Sequence, residues 1–423
     1  MNRAAPAEGS GSLLPAGVDT PAYVYDLAEV RANAGRLRSA LPEPSRLYYS
    51  LKANPHPEVL RTLRASGVLA EVCSPGELDS AIAAGWAPET LLYTGPGKRD
   101  GDVARALDAG VREFSVDSPT ALDQLDRLAA EQRVGVRVLL RVNDDQPVPG
   151  QALAMTGVPS PFGVDAAWVR TQPALFAHRP HVEVVGLHLY MGTNLETVEA
   201  LLAQFTRSVR TFAALASVLR GEGVELRVLD LGGGFGAPFA TAGAALDLTS
   251  LAEPLAGMLD AELPGWRVGA PSVVFESGRY LVGTAGTLVT TVLEAKTSQG
   301  REIVVLDSGI NHLGGMSGLR RLPPLTPHLD PPAGASFSGP ELVETIVCGP
   351  LCTPLDTWNR RARLPRLTPG DRLTVPNVGA YGLYASLVAF LGHPLPAELV
   401  VDSSRPGEPP VHLSRLALVR GTA

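Results

Sequence analysis

The stretch "VLAEVCSPGELDSAIAAGWAPETLLYTGP", Val68 to Pro96, contains one full turn of the pattern that decides the fold. "VLAEVCS" is short and apolar, as a buried strand is. "SPGELDSAIAAG" then opens with helix-start chemistry: Ser74 as N-cap, Pro75 at the first helical position and Glu77 as the reciprocal capping partner. "TLLYTGP" is a second apolar run that closes on turn residues. Strand, helix, strand is the unit from which parallel sheets are built.

Working outward, the apolar runs are "RLYYSLKA", "VLAEVCS", "TLLYTGP", "REFSVDS", "VRVLLRVN", "VEVVGLHLYMG", "LRVLDLGGG" and "PSVVFESGRYL". The first five recur about every 22 residues, short for a strand plus a helix but workable in a (β/α)8 barrel. "SPTALDQLDRLAA" repeats the Ser-Pro start at Ser118 and Pro119. This alternation predicts an α/β fold, a closed TIM barrel; an open doubly wound sheet is the competing arrangement. From about residue 284 the pattern changes. "TLVTTVLEAK", "EIVVLDSG", "LVETIVCGP", "DRLTVPNV" and "ELVVD" are β-like runs separated by Gly, Pro and Asp. A Pro-rich loop, Pro323 to Pro340, punctuates them. The expected layout is a tail and strand over 1–29, a barrel over 30–283 and a C-terminal all-β domain over 284–423. The early strand "PAYVYD", Pro21 to Asp26, is assigned to the β domain.

The 423 residues carry a formal charge of −7 and are 45% hydrophobic, a globular composition that does not favour nucleic acid as a partner. Cys73, Cys348 and Cys352 are too few and scattered for a disulfide framework, and no CxxC metal signature is present. A reducing cytoplasm fits best. The N-terminus has no signal-peptide pattern, and no apolar run approaches a membrane span.

Among 36 basic residues only Lys52, Lys98 and Lys296 are lysine. In such a barrel the active site lies at the C-terminal ends of the strands. The first run ends in Ser50-Leu51-Lys52, the sixth in Tyr190-Met191-Gly192-Thr193, the seventh in Asp230 and "GGGFG", the eighth in Glu276-Ser277-Gly278-Arg279-Tyr280. An amine, a glycine loop and a carboxylate meet the needs of pyridoxal 5'-phosphate. Its aldehyde needs a lysine amine, which a guanidinium cannot replace. Its phosphate needs bare backbone N–H groups. Its ring nitrogen needs a partner. Taken singly, each piece has a plainer reading: Lys52 as a surface lysine with Lys98 as its rival, "GGGFG" as a turn, and Glu276 as a salt-bridge partner.

"YYSLKAN", "EVCSPGEL", "LDLGGGFG", "ESGRYLV", "CGPLCTPLD" and "GAYG" match, in order, the fold-type-III pyridoxal-phosphate decarboxylases. That family includes ornithine and diaminopimelate decarboxylases and is related to alanine racemase. The resemblance implies that Lys52 binds the cofactor covalently, and that Gly233 and Gly234 cradle its phosphate beside Gly278, Arg279 and Tyr381. It also implies that Glu276 meets the ring nitrogen, where racemases place arginine. Cys352 and Asp356 are implied to come from the partner subunit of a homodimer with shared sites, Cys352 as proton donor.

Three departures stand out. "GLHLYMGTN" puts Tyr190 in the stacking place and Thr193 in the phosphate-hydroxyl place, where the family has His and Ser. Thr353 follows Cys352 where an acid usually meets a distal ammonium. The distal-carboxylate stretch of diaminopimelate enzymes is replaced by "INHLGGMSGLRRLPP", with Arg320 and Arg321 as substitutes. "TGVPSPFGVD", "CGPLCTP" and "FLGHPLPAEL" resemble the branch that decarboxylates an acidic amino acid tethered to an acyl carrier protein in natural-product biosynthesis. The implied partner is that carrier, with the basic stretch "NRRARLPR" (Arg360, Arg361, Arg363, Arg366) as a docking surface. Decarboxylation of a free amino acid such as diaminopimelate and a non-catalytic cofactor-binding role are the alternatives.

Overall fold

The computed structural model describes residues 13–145, 156–314, 325–332 and 342–421. Arg320, Arg321 and most of the Pro323–Pro340 loop lie outside the described residues. The chain divides into two compact units. One comprises Val30–Ala237 and Ala245–Val282; the other comprises the segment ending at Glu29, Pro238–Ala244 and the chain from Gly283 onward.

Strand β1 (Ala22–Asp26) belongs to the second unit; the barrel starts with β2 (Ser45–Ser50). It continues with β3 (Leu69–Val72), β4 (Leu92–Tyr93), β5 (Glu113–Val116) and β6 (Val136–Asn143). A two-residue strand, β7 (Val164–Asp165), flanks β6 without entering the ring. β8 (Val182–His188), β9 (Val228–Asp230) and β10 (Ser272–Ser277) complete it. Every pairing is parallel, and β10 pairs with β2, so the sheet closes. Each quoted apolar run supplies one stave, and the doubly wound alternative is excluded. The interior is packed: Tyr48, Leu92, Leu139, Val185, Val228 and Val274 form one buried cluster drawn from six strands.

The helix starts follow from sequence. Ser74 accepts from the Glu77 N–H at 3.2 Å, and the Glu77 carboxylate reaches back to the Cys73 N–H at 2.8 Å, one residue before the cap itself. Ser118 accepts from the Ala121 N–H at 3.1 Å. Such caps satisfy helix-end donors that would otherwise be orphaned.

The second unit is a sheet. Its further strands are β11 (Gly286–Ser298), β12 (Arg301–Leu306), β13 (Val343–Cys348), β14 (Thr357–Leu364), β15 (Arg372–Val375), β16 (Ala397–Val401) and β17 (His412–Arg415). Their order is β14-β13-β12-β11-β1-β16-β17, with β15 on β11. β1 lies antiparallel to β11 and parallel to β16. Two findings were not expected. "TWNRRARL" forms edge strand β14 rather than a connection, and Pro238–Ala244 leaves the barrel sequence to join the sheet unit. There the Asn377 amide donates to the carbonyls of Thr241 and Gly243 at 2.7 and 3.1 Å. No helix among the described residues is long and apolar enough to cross a membrane.

Candidate active site

Lys52 sits on a single helical turn, Leu51–Ala53, directly after β2. Half of its side chain is exposed, while its Nζ lies 3.8 Å from Glu71 Oε1, a buried carboxylate on β3 that also accepts from the Thr94 hydroxyl. Burial pushes the Glu71 carboxyl up, but the Lys52 charge and hydrogen bonds from Ser50 and Thr94 prevail and hold it below the usual value. The rival lysine is otherwise engaged. Lys98 Nζ donates to the carbonyls of Gly95 and Ser115 at 2.6 and 2.7 Å, tying the loop after β4 to strand β5, and burial pulls its pKa down to about 8.

Glu276 lies near the end of β10, buried, with Oε1 lacking a hydrogen-bond partner. His188 ends β8 and brings Nε2 to 3.5 Å from that oxygen, while its Nδ1 meets the Ser115 hydroxyl at 2.9 Å. Asp230 ends β9; its Oδ1 accepts from the Gly232 N–H at 2.8 Å and its Oδ2 lacks a partner. Ligand atoms of these three residues lie within 4.8 Å of one another. The Lys52 and Arg141 charges, felt at both His188 and Glu276, oppose a metal cation there. Protonation instead relieves the crowding. Burial, then the neighbouring carboxylates Asp230 and Glu71, raises Glu276 well above its ordinary value, which favours its protonated form. Burial and the nearby cations hold His188 neutral.

Asp230 is raised to about 7, chiefly by burial. A carboxyl raised in the folded state binds more protons folded than unfolded, so stability falls as pH rises from the unfolded value towards the folded one. Asp230→Asn keeps the acceptor for Gly232 and removes this burden. It should stabilise the cofactor-free protein by about 1–3 kcal/mol at pH 8, with the gain vanishing towards pH 4. Thermal melts across that range check it; a gain that grows on acidification refutes it.

The glycine loop follows β9. A Cβ on Gly233 would stand 2.5 Å from the Glu276 carbonyl oxygen, and one on Gly234, at φ +109°, 3.0 Å from the Gly192 carbonyl oxygen. Only glycine fits these positions. Gln204, buried on the helix Val198–Arg220, donates to the Gly233 carbonyl at 2.9 Å and braces the loop. The Tyr190 ring packs beside it, 2.6 Å from where a Gly232 Cβ would be, and the Arg141 guanidinium lies 5.8 Å from that ring's centre. Thr193 stands two residues before the Leu195–Phe235 bridge, which ties its segment to the same loop. Gly278 and Arg279 lead from β10 into the short helix Arg279–Val282.

The barrel therefore gathers Lys52, Tyr190, Thr193, Gly233, Gly234, Glu276, Gly278 and Arg279 on the C-terminal side of its strands. Cys352, Thr353, Asp356 and Tyr381 belong to the sheet unit. Cys352 is exposed, and Tyr381 has a left-handed backbone, φ 57°. The structure places Asp356 inside this unit. It is 2% exposed, and its two oxygens accept from the N–H groups of Ile310 and Leu351, each at 2.8 Å. Sequence reasoning missed His188, Asp230, Glu71 and Gln204. The first three were legible in principle, as polar residues inside or at the end of otherwise apolar barrel runs.

These residues fit pyridoxal phosphate on the structure's own terms. A buried carboxyl keeps an oxygen without a partner, a lysine amine stands at the mouth, and a glycine loop leaves backbone where any side chain would intrude.

Residues 27–283 match the family described as "Pyridoxal-dependent decarboxylase, pyridoxal binding domain". L-glutamyl-[BtrI acyl-carrier protein] decarboxylase of Niallia circulans is 31% identical over 383 residues, covering 90% of this chain and 89% of the relative. Diaminopimelate decarboxylase of Methanothermobacter thermautotrophicus is 33% identical over 399 residues, covering 91% and 87%. The crystal structure of Helicobacter pylori diaminopimelate decarboxylase complexed with L-lysine superposes with a TM-score of 0.78 at 26% identity, covering 92% of this chain and 93% of that one. Closed barrel, added sheet unit and matched sequence converge: the chain belongs to the pyridoxal-dependent decarboxylase family and is a pyridoxal-phosphate-dependent amino-acid decarboxylase.

Proposed function

We propose that the chain removes the α-carboxyl group of an acidic amino acid, of glutamyl, aspartyl or methylaspartyl type, whose side-chain carboxyl is held as a thioester on an acyl carrier protein of a natural-product pathway. One observation carries the reading. The turn around Cys352, "LCTPL", offers no carboxylate, and the acid that follows, Asp356, is turned inward with both oxygens taken. A free diamine precursor would bury its distal ammonium there without a counter-ion, which is costly. A thioester is neutral and needs none. The glutamyl carrier-protein decarboxylase among the relatives supports the same substrate class.

In this reading Lys52 binds the cofactor aldehyde, Gly233 and Gly234 with Thr193, Gly278, Arg279 and Tyr381 hold the phosphate, and Tyr190 covers the ring. Bound pyridoxal phosphate supplies a ring that accepts the electron pair freed as CO2 leaves. Glu276 keeps a proton at the floor of the mouth, where the ring nitrogen needs one. Cys352 holds the proton that replaces the departing carboxyl at Cα. The chain works as a homodimer, with Cys352 and Thr353 of one copy serving the other copy's barrel. Mass spectrometry of a glutamyl- or aspartyl-loaded carrier should show a loss of CO2; turnover of free diaminopimelate at equal or greater kcat/KM overturns the tethered reading in favour of the free amino acid.

The carrier docks on edge strand β14. Arg360, Arg361 and Arg363 are exposed there, whereas Arg366 is paired with Glu302 at 2.8 Å. A chain of net charge −7 repels an acidic carrier, so local positive charge is needed to steer it. Reversing Arg360 and Arg361 to Glu should raise KM for the loaded carrier about 10-fold and leave cofactor absorbance and turnover of glutamyl-pantetheine unchanged. Equal KM for the carrier removes this surface.

A further inference from the structure

We propose that Asp356 is a positioning residue, a carboxylate clamp that fixes the turn presenting Cys352. The catalytic consequence rests on Cys352 being the proton donor; the clamp itself does not.

The turn joins β13, which ends at Cys348, to β14, which begins at Thr357. Asp356 holds it from inside. One carboxylate oxygen accepts from the Leu351 N–H, the residue before Cys352, at 2.8 Å. The other accepts from the Ile310 N–H at 2.8 Å, in the segment that follows β12. Its backbone closes the same loop: its carbonyl accepts from the Gly349 N–H at 3.0 Å and its N–H donates to the Thr353 carbonyl at 3.2 Å. Four hydrogen bonds thus bracket Cys352 on both sides and tie its turn to a neighbouring segment.

The surrounding sequence makes room for the carboxylate. A Cβ at either Gly309 or Gly349 would collide with both Asp356 oxygens. Two glycines on separate segments thus flank one acid. Among the described residues this carboxylate makes no close ion pair; two backbone N–H groups, with His393 a more distant electrostatic partner, offset its charge. Burial raises its pKa and those two N–H groups oppose the rise. A carboxylate committed in this way cannot meet a substrate ammonium without giving up the turn. Cys352 is exposed, so its placement comes from this backbone anchoring rather than from packing of its own side chain.

Asp356→Asn tests the clamp in the holoenzyme, because its amide presents a donor to a backbone donor. Expected results are a loss in kcat of about 10²-fold with KM and cofactor absorbance little changed, and a several-fold change in the rate at which iodoacetamide alkylates Cys352, read by peptide mapping against Cys73 and Cys348. Gly349→Ala, which drives a methyl group into the same carboxylate, should reproduce both. Should either variant fail to fold, amide exchange in the unaltered holoenzyme decides: slow exchange at Leu351 and Ile310 supports the clamp, and exchange at the rate of open loop overturns it. A rise in KM with unchanged kcat and unchanged alkylation also overturns it, in favour of a substrate contact. Full activity in Cys352→Ser would refute the proton-donor assignment while leaving the alkylation and exchange results to judge the clamp.

Discussion

Lys52→Arg is expected to abolish decarboxylation, lowering kcat by at least about 10³-fold, and to remove the visible absorbance of the purified holoenzyme. The variant keeps the positive charge facing Glu71, so the 3.8 Å ion pair and the fold should survive. Only the capacity of a deprotonated primary amine to bond an aldehyde is lost, since the guanidinium remains protonated. Lys98→Arg is the matched control. Its amine serves two backbone carbonyls, so that change should cost thermal stability while retaining absorbance and most of the activity. If Lys98→Arg were the colourless, inactive protein, the assignment of the two lysines would be reversed.

Glu276→Gln should lower kcat by about 10²- to 10⁴-fold while leaving the cofactor bound. The amide matches the carboxyl in shape but cannot exchange a proton with a ring nitrogen. Burial, with Asp230 and Glu71 close by, raises the Glu276 carboxyl well above its ordinary value in the cofactor-free protein and so favours a proton there. The loss should persist across pH, since the amide does not titrate in this range. Steady-state kinetics from pH 6 to 9, with absorbance as the measure of cofactor content, checks this. A variant within about 3-fold of the parent would assign ring-nitrogen partnership elsewhere, with Asp230 the next carboxyl in line.

The barrel was readable because each stave is an apolar run closed by turn residues, and because Ser74 and Ser118 mark helix starts between them. Lys52, the glycine loop and Glu276 were readable because barrel chemistry gathers where those runs end. β14 was hidden by its composition. Its arginines face solvent from an edge, and a register irregularity between Thr345 and Val347 on its partner breaks the two-residue alternation. β17 is largely exposed and carries little apolar signal. The inward turn of Asp356 was hidden for a different reason: a motif gives the order of residues but not which way a carboxylate turns, and here it faces two N–H groups and two glycines. The Pro238–Ala244 excursion has no marker in sequence, since its hydrogen bonds run through backbone carbonyls.

The pairing of β1 with both β11 and β16 sets an order of events during synthesis. Ala22 finds its antiparallel neighbour Val289 only after the barrel segments have been made, and its parallel neighbour Ala397 more than a hundred residues later. The barrel segments lie between these partners, so they can close while the first strand waits. Loss of either end of the chain would open the same seam, and a nascent product stalled after Val282 would carry its first strand with no sheet to receive it.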